Sequence, residues 1–395
     1  MVKFPIYMDC HATTPVDPRV LESMLPYFTE EYGNASSIDH IYGSKAADVV
    51  EKARKQVAEL INASPTETIF TSGATESDNI AIQGIAKAYE KKGRHIVTCT
   101  TEHKAVLDTC THLESLGWSV TRVPVDHVGT IDLQKLEECI TNQTVLISVA
   151  FANNEIGTIA PIEEIGKIAR DHGVLFHTDA AQAVGHIPVD VQKMNIDMMS
   201  ISAHKVYGPK GIGVLYIRHE AGRTMPTPIT HGGGQERALR PGTLNVPAIV
   251  GAGKALSLAR REMHAEGERL ASWANRMKVE FLNRIESAEQ NGHPVMKLPH
   301  NLNMYFRGTE SKAIIQAVSS EIAISAGSAC TTKSVEPSHV ILALGYDEQR
   351  AHSSVRFGLS RFNTEEEVGF VIDRIVDTVN RLRRIGGRGR AVQMS

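Results

Sequence analysis

The chain has 395 residues, 42% of them hydrophobic, which is ample for a large core and more than one lobe. Its formal net charge of −3 points to neither nucleic acid nor an anionic membrane as a direct partner, and no apolar run reaches the roughly 18 residues of a membrane span. The N-terminus lacks a long apolar segment of the secretory kind, and the five cysteines (Cys10, Cys99, Cys110, Cys139, Cys330) form no CxxC pair; the expectation is a reduced, cytoplasmic protein without disulfides or a metal site.

Strand-like and helix-like stretches alternate from about residue 65 to 220. Residues 68–70, 95–99, 119–123, 145–149, 174–177, 196–201 and 213–217 read as strands. Residues 78–91, 104–116, 133–140 and 162–172 read as helices between them. This alternation predicts an α/β fold with a mostly parallel sheet of about seven strands wrapped by helices. A Gly/Pro-rich stretch, 222–247, then precedes a long helical segment over 249–287 that leads to a smaller α+β lobe. That lobe reads as strands at 301–306, 323–325 and 355–359 with helices at 311–318, 337–343 and 364–382. The expected division is a segment 1–20 that joins the small domain, a large domain 21–255, a small domain 256–385 and a disordered tail 386–395, rich in glycine and arginine.

Two of the strands end on chemistry. Asp179 closes the run Val174-Leu175-Phe176-His177-Thr178, and Lys205 follows Ser200-Ile201-Ser202-Ala203-His204. In open α/β sheets ligands bind beyond the carboxyl ends of the strands. An amine and a carboxylate delivered there suggest pyridoxal phosphate (PLP), whose aldehyde needs a lysine for a Schiff base and whose pyridine nitrogen needs an acid partner. Upstream, Thr71-Ser72-Gly73-Ala74-Thr75-Glu76-Ser77 joins a strand to a helix, and free N–H groups at such a turn suit a phosphate. Thr75 followed by Asp78 also reads as an ordinary capping box.

These motifs, with Ala12-Thr13-Thr14-Pro15, Thr101-Glu102-His103-Lys104, Asn153-Asn154-Glu155, Asp179-Ala180-Ala181-Gln182, His231-Gly232-Gly233-Gly234-Gln235-Glu236-Arg237 and Gly327-Ser328-Ala329-Cys330, resemble the cysteine desulfurases in order and spacing. The resemblance is to the housekeeping and nitrogen-fixation branch. It implies the PLP-dependent transferase type I fold and a homodimer. It also implies the conversion of L-cysteine to L-alanine, with the sulfur passed as a persulfide to acceptor proteins for iron–sulfur clusters, thiolated tRNA or phosphorothioate DNA. A selenocysteine lyase-like enzyme and a catalytically silent scaffold on the same fold are the alternatives.

Carried over by the resemblance, Lys205 forms the Schiff base, Asp179 pairs with the ring nitrogen, His103 stacks on the ring and moves protons, and Gln182 bonds the ring oxygen. Ala74, Thr75, Ser202 and His204 hold the phosphate, and Thr243 reaches in from the other subunit. Asn154 and Arg356 bind the substrate carboxylate, for which a guanidinium fork is well shaped. Cys330 is the persulfide-forming nucleophile, and its small, polar neighbours suit an exposed thiol. Cys10 stands where the family more often has an aromatic or amide residue, and reads as a buried structural thiol or a second reactive one.

Overall fold

The computed structural model describes residues 3–220, 225–327 and 336–393. In chain order the first part runs β1 (Ile6–Tyr7), α1 (Pro18–Met24), α2 (Pro26–Thr29), α3 (Ile41–Ile61), β2 (Thr68–Thr71), α4 (Ala74–Tyr89), β3 (His95–Cys99), α5 (Lys104–Ser115), β4 (Ser119–Val123), α6 (Leu133–Glu138), β5 (Thr144–Ser148), α7 (Ile162–Asp171), β6 (Leu175–Asp179), β7 (Met198–Ser202) and β8 (Gly213–Ile217). After the long α8 (Val246–Arg284) come β9 (Ala288–Asn291), β10 (Asn301–Phe306), α9 (Ser311–Val318), β11 (Ile322–Ala323), α10 (His339–Ala343), α11 (Glu348–His352), β12 (Ser354–Gly358) and α12 (Glu365–Gln393). Helix α12 therefore continues into the stretch expected to be disordered.

Seven strands form one sheet in the order β2-β8-β7-β6-β5-β3-β4. The neighbours from β7 across to β4 pair parallel, and β8 runs antiparallel to both β7 and β2. The inner strands are buried along their whole length, which is why they read as continuous apolar runs. Alternate side chains then feed opposite faces. Phe70, Val97, Ile147, Phe176 and Met199 enter a core with α3, α7 and the first half of α8, while Ile69, Ile96, Leu146, Leu175 and Met198 pack against α4 and α5.

A second core lies beyond. The antiparallel sheet β12-β10-β9 packs under α9, α12 and the second half of α8, with Leu302, Phe306, Phe357 and Phe281 buried at its centre. Ile6 and Met8, from the opposite end of the sequence, belong to this core too, because β1 pairs parallel with β11. The 39 residues of α8 span about 58 Å at 1.5 Å per residue, and one helix is shared by both cores.

Candidate active site

A cavity of about 570 Å³ opens where the C-terminal ends of β6 and β7 meet the N-terminus of α4 and the first turn of α5. The second core contributes Gly327 and Arg356 to its wall, and the N-terminal segment adds His11, Ala12 and Thr13. Ten of the sequence-predicted residues line it: Ala74, Thr75, His103, Asn154, Asp179, Gln182, Ser202, His204, Lys205 and Arg356. Two do not. Thr243 is exposed ahead of α8 and is not among the lining residues of its own chain. Cys330 lies outside the described residues.

Each side chain is set by its element. Asp179 is the last residue of β6, and its Oδ1 accepts from the Ala181 backbone N–H at 2.9 Å. Burial pushes the Asp179 carboxyl above its ordinary range, against the pull of His103 and Lys205. Lys205 ends a short 3₁₀ turn directly after β7; its ammonium donates to the carbonyls of His11 and, at 2.9 Å, of Ala12. His103 caps α5, and its Nδ1 accepts from the Ala105 N–H at 3.1 Å. That bond leaves Nε2 as the nitrogen on which His103 can carry or exchange a proton.

At the phosphate end, α4 starts on Gly73, which supplies no side-chain cap. The expected Thr75–Asp78 capping box does not form. Asp78 is instead fully buried, with neither carboxylate oxygen hydrogen-bonded, and Glu76 takes the local role by accepting from the Ser72 N–H. A Cβ placed on Gly73 or on Gly211 would meet nothing within 4 Å, so open space lies against the first turn of α4. Ser202, His204 and Lys210 border that space. His204 Nδ1 contacts the Thr13 hydroxyl at 3.0 Å, and burial with the charges of Lys205 and Lys210 lowers its pKa to about 4.

The opposite wall carries Arg356 on β12, 2% exposed. Its Nη2 donates to Asp9 Oδ1 at 2.7 Å and its Nη1 to the Asn154 carbonyl at 2.9 Å, while Nε–H is buried with no acceptor. The cavity wall thus carries a guanidinium, a planar fork of donors that suits a carboxylate. Asn153, next to Asn154, serves the backbone: its Oδ1 accepts from the N–H groups of Glu155 and Ile156. Cys10 is 2% exposed and does not line the cavity; burial raises its pKa to about 12, so it is a structural thiol.

Residues 6–371 match the family model described as aminotransferase class-V. "Cysteine desulfurase IscS" of Anaeromyxobacter dehalogenans (strain 2CP-C) is 52% identical over 384 residues, 97% of this chain and 95% of that relative. A solved NifS-like protein superposes with a TM-score of 0.89 at 38% identity, covering 96% of this chain and all of that one. SspA, solved in complex with cysteine, superposes at 0.79 with 40% identity over 91% of this chain and 99% of that one. This chain belongs to the cysteine desulfurases of the class-V aminotransferase family.

A cysteine desulfurase of this family depends on PLP, and the residues present fit it. The uncapped helix start offers N–H groups to a phosphate, Asp179 offers a carboxylate at a strand end, and Lys205 offers its amine, all in one cavity. The bound cofactor supplies an electron sink for the substrate's α-carbon. Everything else falls to the desulfurase's own groups. Lys205 brings an amine, His103 an imidazole and Asp179 a carboxylate to the same cavity, three groups whose chemistry allows them to carry protons.

Sequence reasoning did not single out His11, Asp78 or Lys210, which also line the cavity. Lys210 follows the Tyr207-Gly208-Pro209 turn after Lys205, a signal that was present. His11 gave none, because its partner Gln182 lies 171 residues away, and Asp78 offered only a capping pattern that the fold does not use.

Proposed function

We propose that this desulfurase collects the sulfur of L-cysteine on Cys330 and hands it on as a persulfide to acceptor proteins, releasing alanine. Gly327, in the cavity wall, carries the argument. Its carbonyl accepts from Arg356 Nη1 at 3.4 Å, so the chain leaves the substrate end of the cavity only three residues before Cys330. Three residues reach about 10 Å, the scale of the cavity itself. Lys205 is the residue that binds the cofactor aldehyde, and Arg356 with Asn154 holds the substrate carboxylate. The relative solved with cysteine supports the substrate assignment. Iron–sulfur cluster assembly, tRNA thiolation and DNA phosphorothioation all draw on such a persulfide, and surface contacts select among acceptors.

The working unit in this reading is a cytoplasmic homodimer, in which the exposed Thr243 of one copy completes the phosphate site of the other. No helix among the described residues is long and apolar enough to cross a membrane. Residues 21–255 form the large domain, and 256–385 with 1–20 form the small one; the packing of Ile6 and Met8 beside Leu302 and Phe357 supports this division.

Mass spectrometry of the protein after brief anaerobic exposure to L-cysteine tests the proposal. One added sulfur atom should map to Cys330, and Cys330→Ala should bind cysteine without acquiring it. Sulfur mapped to another cysteine would reassign the nucleophile.

A further inference from the structure

Gln182 reaches its place through a contact that the sequence did not disclose. Its Nε2 donates to the His11 carbonyl at 3.1 Å, and its Oε1 lies 2.9 Å from His11 Nδ1. A carbonyl can only accept, so the first contact fixes which end of the amide is nitrogen. Oε1 therefore faces His11, and Nδ1 must carry the proton.

The other ring nitrogen gives the same answer independently. Asn301 Nδ2 lies 3.1 Å from His11 Nε2 and also donates to the Glu155 carbonyl at 3.2 Å, which marks it as the amide nitrogen. Nε2 then accepts, and Nδ1 is the donor. A second proton would point an N–H at the Asn301 amide, so the ring stays neutral.

The ring itself cannot turn. It is 1% exposed and stacks on His300 at 4.5 Å, and His300 stacks on His186 at 4.0 Å. His186 Nε2 in turn bonds the Lys205 carbonyl at 2.8 Å. The three-ring ladder thus begins and ends on groups that touch Lys205, since its ammonium donates to the His11 carbonyl.

We propose that His11 is a positioning residue of this active site: its neutral Nδ1–H ring fixes the Gln182 amide with nitrogen as the presented donor, while its carbonyl seats the Lys205 amine. This rests on reading Gln182 as the donor to the cofactor's ring oxygen. An amide held at one oxygen and one nitrogen cannot flip, and a flipped Gln182 would offer that oxygen a lone pair instead of a proton.

The test is a pH titration of the cofactor's visible absorbance in the holoenzyme, which does not depend on turnover. Removing a donor to the ring oxygen should move the midpoint upward by about half to one pH unit, the size of one hydrogen bond. The proposal predicts that shift in Gln182→Ala and in His11→Leu, with no further shift when the two are combined. His11→Asn, which keeps an amide donor near the Nδ1 position, should recover at least half of it. If His11→Leu does not fold, His11→Ala takes its place. An unchanged midpoint in the His11 variant beside a shifted Gln182→Ala would overturn the proposal alone, as would equal His11 shifts in both backgrounds. An unchanged midpoint in Gln182→Ala would overturn it together with the reading of Gln182.

Discussion

Asp179, Asp78 and Glu102 lie buried in one another's field, and burial raises the proton affinity of all three. Asp78 lies 3.6 Å from His177, yet that contact is not a salt bridge. Burial pushes the Asp78 carboxyl well above its ordinary range and lowers the imidazole to about 3, so the charged form of each is disfavoured. His177 instead uses its ring nitrogens on the hydroxyls of Ser148 and Ser200, at 2.9 and 3.1 Å. Glu102 is held by one bond from the Ala150 N–H at 2.8 Å, with Oε2 unpaired, and burial pushes its pKa up to about 8. The linkage follows in sign: the unfolded chain releases this proton at ordinary carboxylate pH, and the folded one keeps it to about 8. The contribution to stability is therefore complete at acid pH and is lost as pH rises towards 8. Glu102→Gln removes that loss. Its stability relative to wild type should grow between pH 5 and 8 by up to about 1.4 kcal/mol per pH unit, read from denaturant midpoints; a difference independent of pH would contradict the buried proton. At this scale the positions of Asp179 and Lys205 were legible in the sequence because one ends an apolar strand and the other closely follows the next. Asp78, Glu102 and His11 were not, because a buried carboxyl or imidazole acquires its character from neighbours that only folding assembles.

Among the elements, the strands were the most legible: β3, β4, β8 and β10 fall where residues 95–99, 119–123, 213–217 and 301–306 predicted them. Helix α3, 21 residues long, went unread. Its buried face mixes Ala46, Ala53 and Ala58 with Val50 and Val57, a stripe too small to stand out as amphipathic. The reason is across the interface. A Cβ on Gly253 of α8 would lie 2.7 Å from the Ala53 Cα, so the two helices approach too closely for large side chains. Helix α3 also delivers Arg54 to the His231–Arg237 motif. Arg54 grips Glu236 through two bonds of 2.7 and 3.0 Å, and Glu236 accepts from the Phe70 N–H of β2 at 2.7 Å. The pair is 7% and 1% exposed at its side chains and holds three successive residues, Glu236, Arg237 and Ala238, at positive φ. The motif was quoted from the sequence, but its structural partner was not. Glu236→Ala leaves the buried Arg54 guanidinium with only the Thr68 carbonyl and the exposed Glu51 carboxylate as partners, and should cost about 3 kcal/mol in urea unfolding; a loss below about 1 kcal/mol would show that the loop is held otherwise.

The molecule as a whole places its reactive cavity between two cores that one helix connects. The large core brings Asp179, Lys205 and the start of α4, and the small one brings Arg356 and Gly327. A cofactor and substrate bound there touch both, so ligation should be felt by the whole fold. Removing PLP should lower the calorimetric melting temperature by several degrees, since a ligand at a hundredfold its Kd stabilises the native state by about 2.7 kcal/mol. An unchanged melting temperature would place the cofactor's contacts outside the folded core. The α/β class, the mostly parallel sheet and the second lobe were all visible in the alternation of strands and helices. The pairing of β1 with β11, which brings Ile6 and Met8 to the C-terminal core, was not legible, since a two-residue strand carries no periodicity of its own. The central claim, that Lys205 and Cys330 together convert cysteine to alanine and a transferable sulfur, is tested most directly by product stoichiometry. Purified holoenzyme, L-cysteine and a reductant under anaerobic conditions should yield alanine and sulfide in equal amounts, with almost none of either from Lys205→Ala and almost no sulfide from Cys330→Ala. Pyruvate in place of alanine, or wild-type sulfide release from the Cys330 variant, would contradict it.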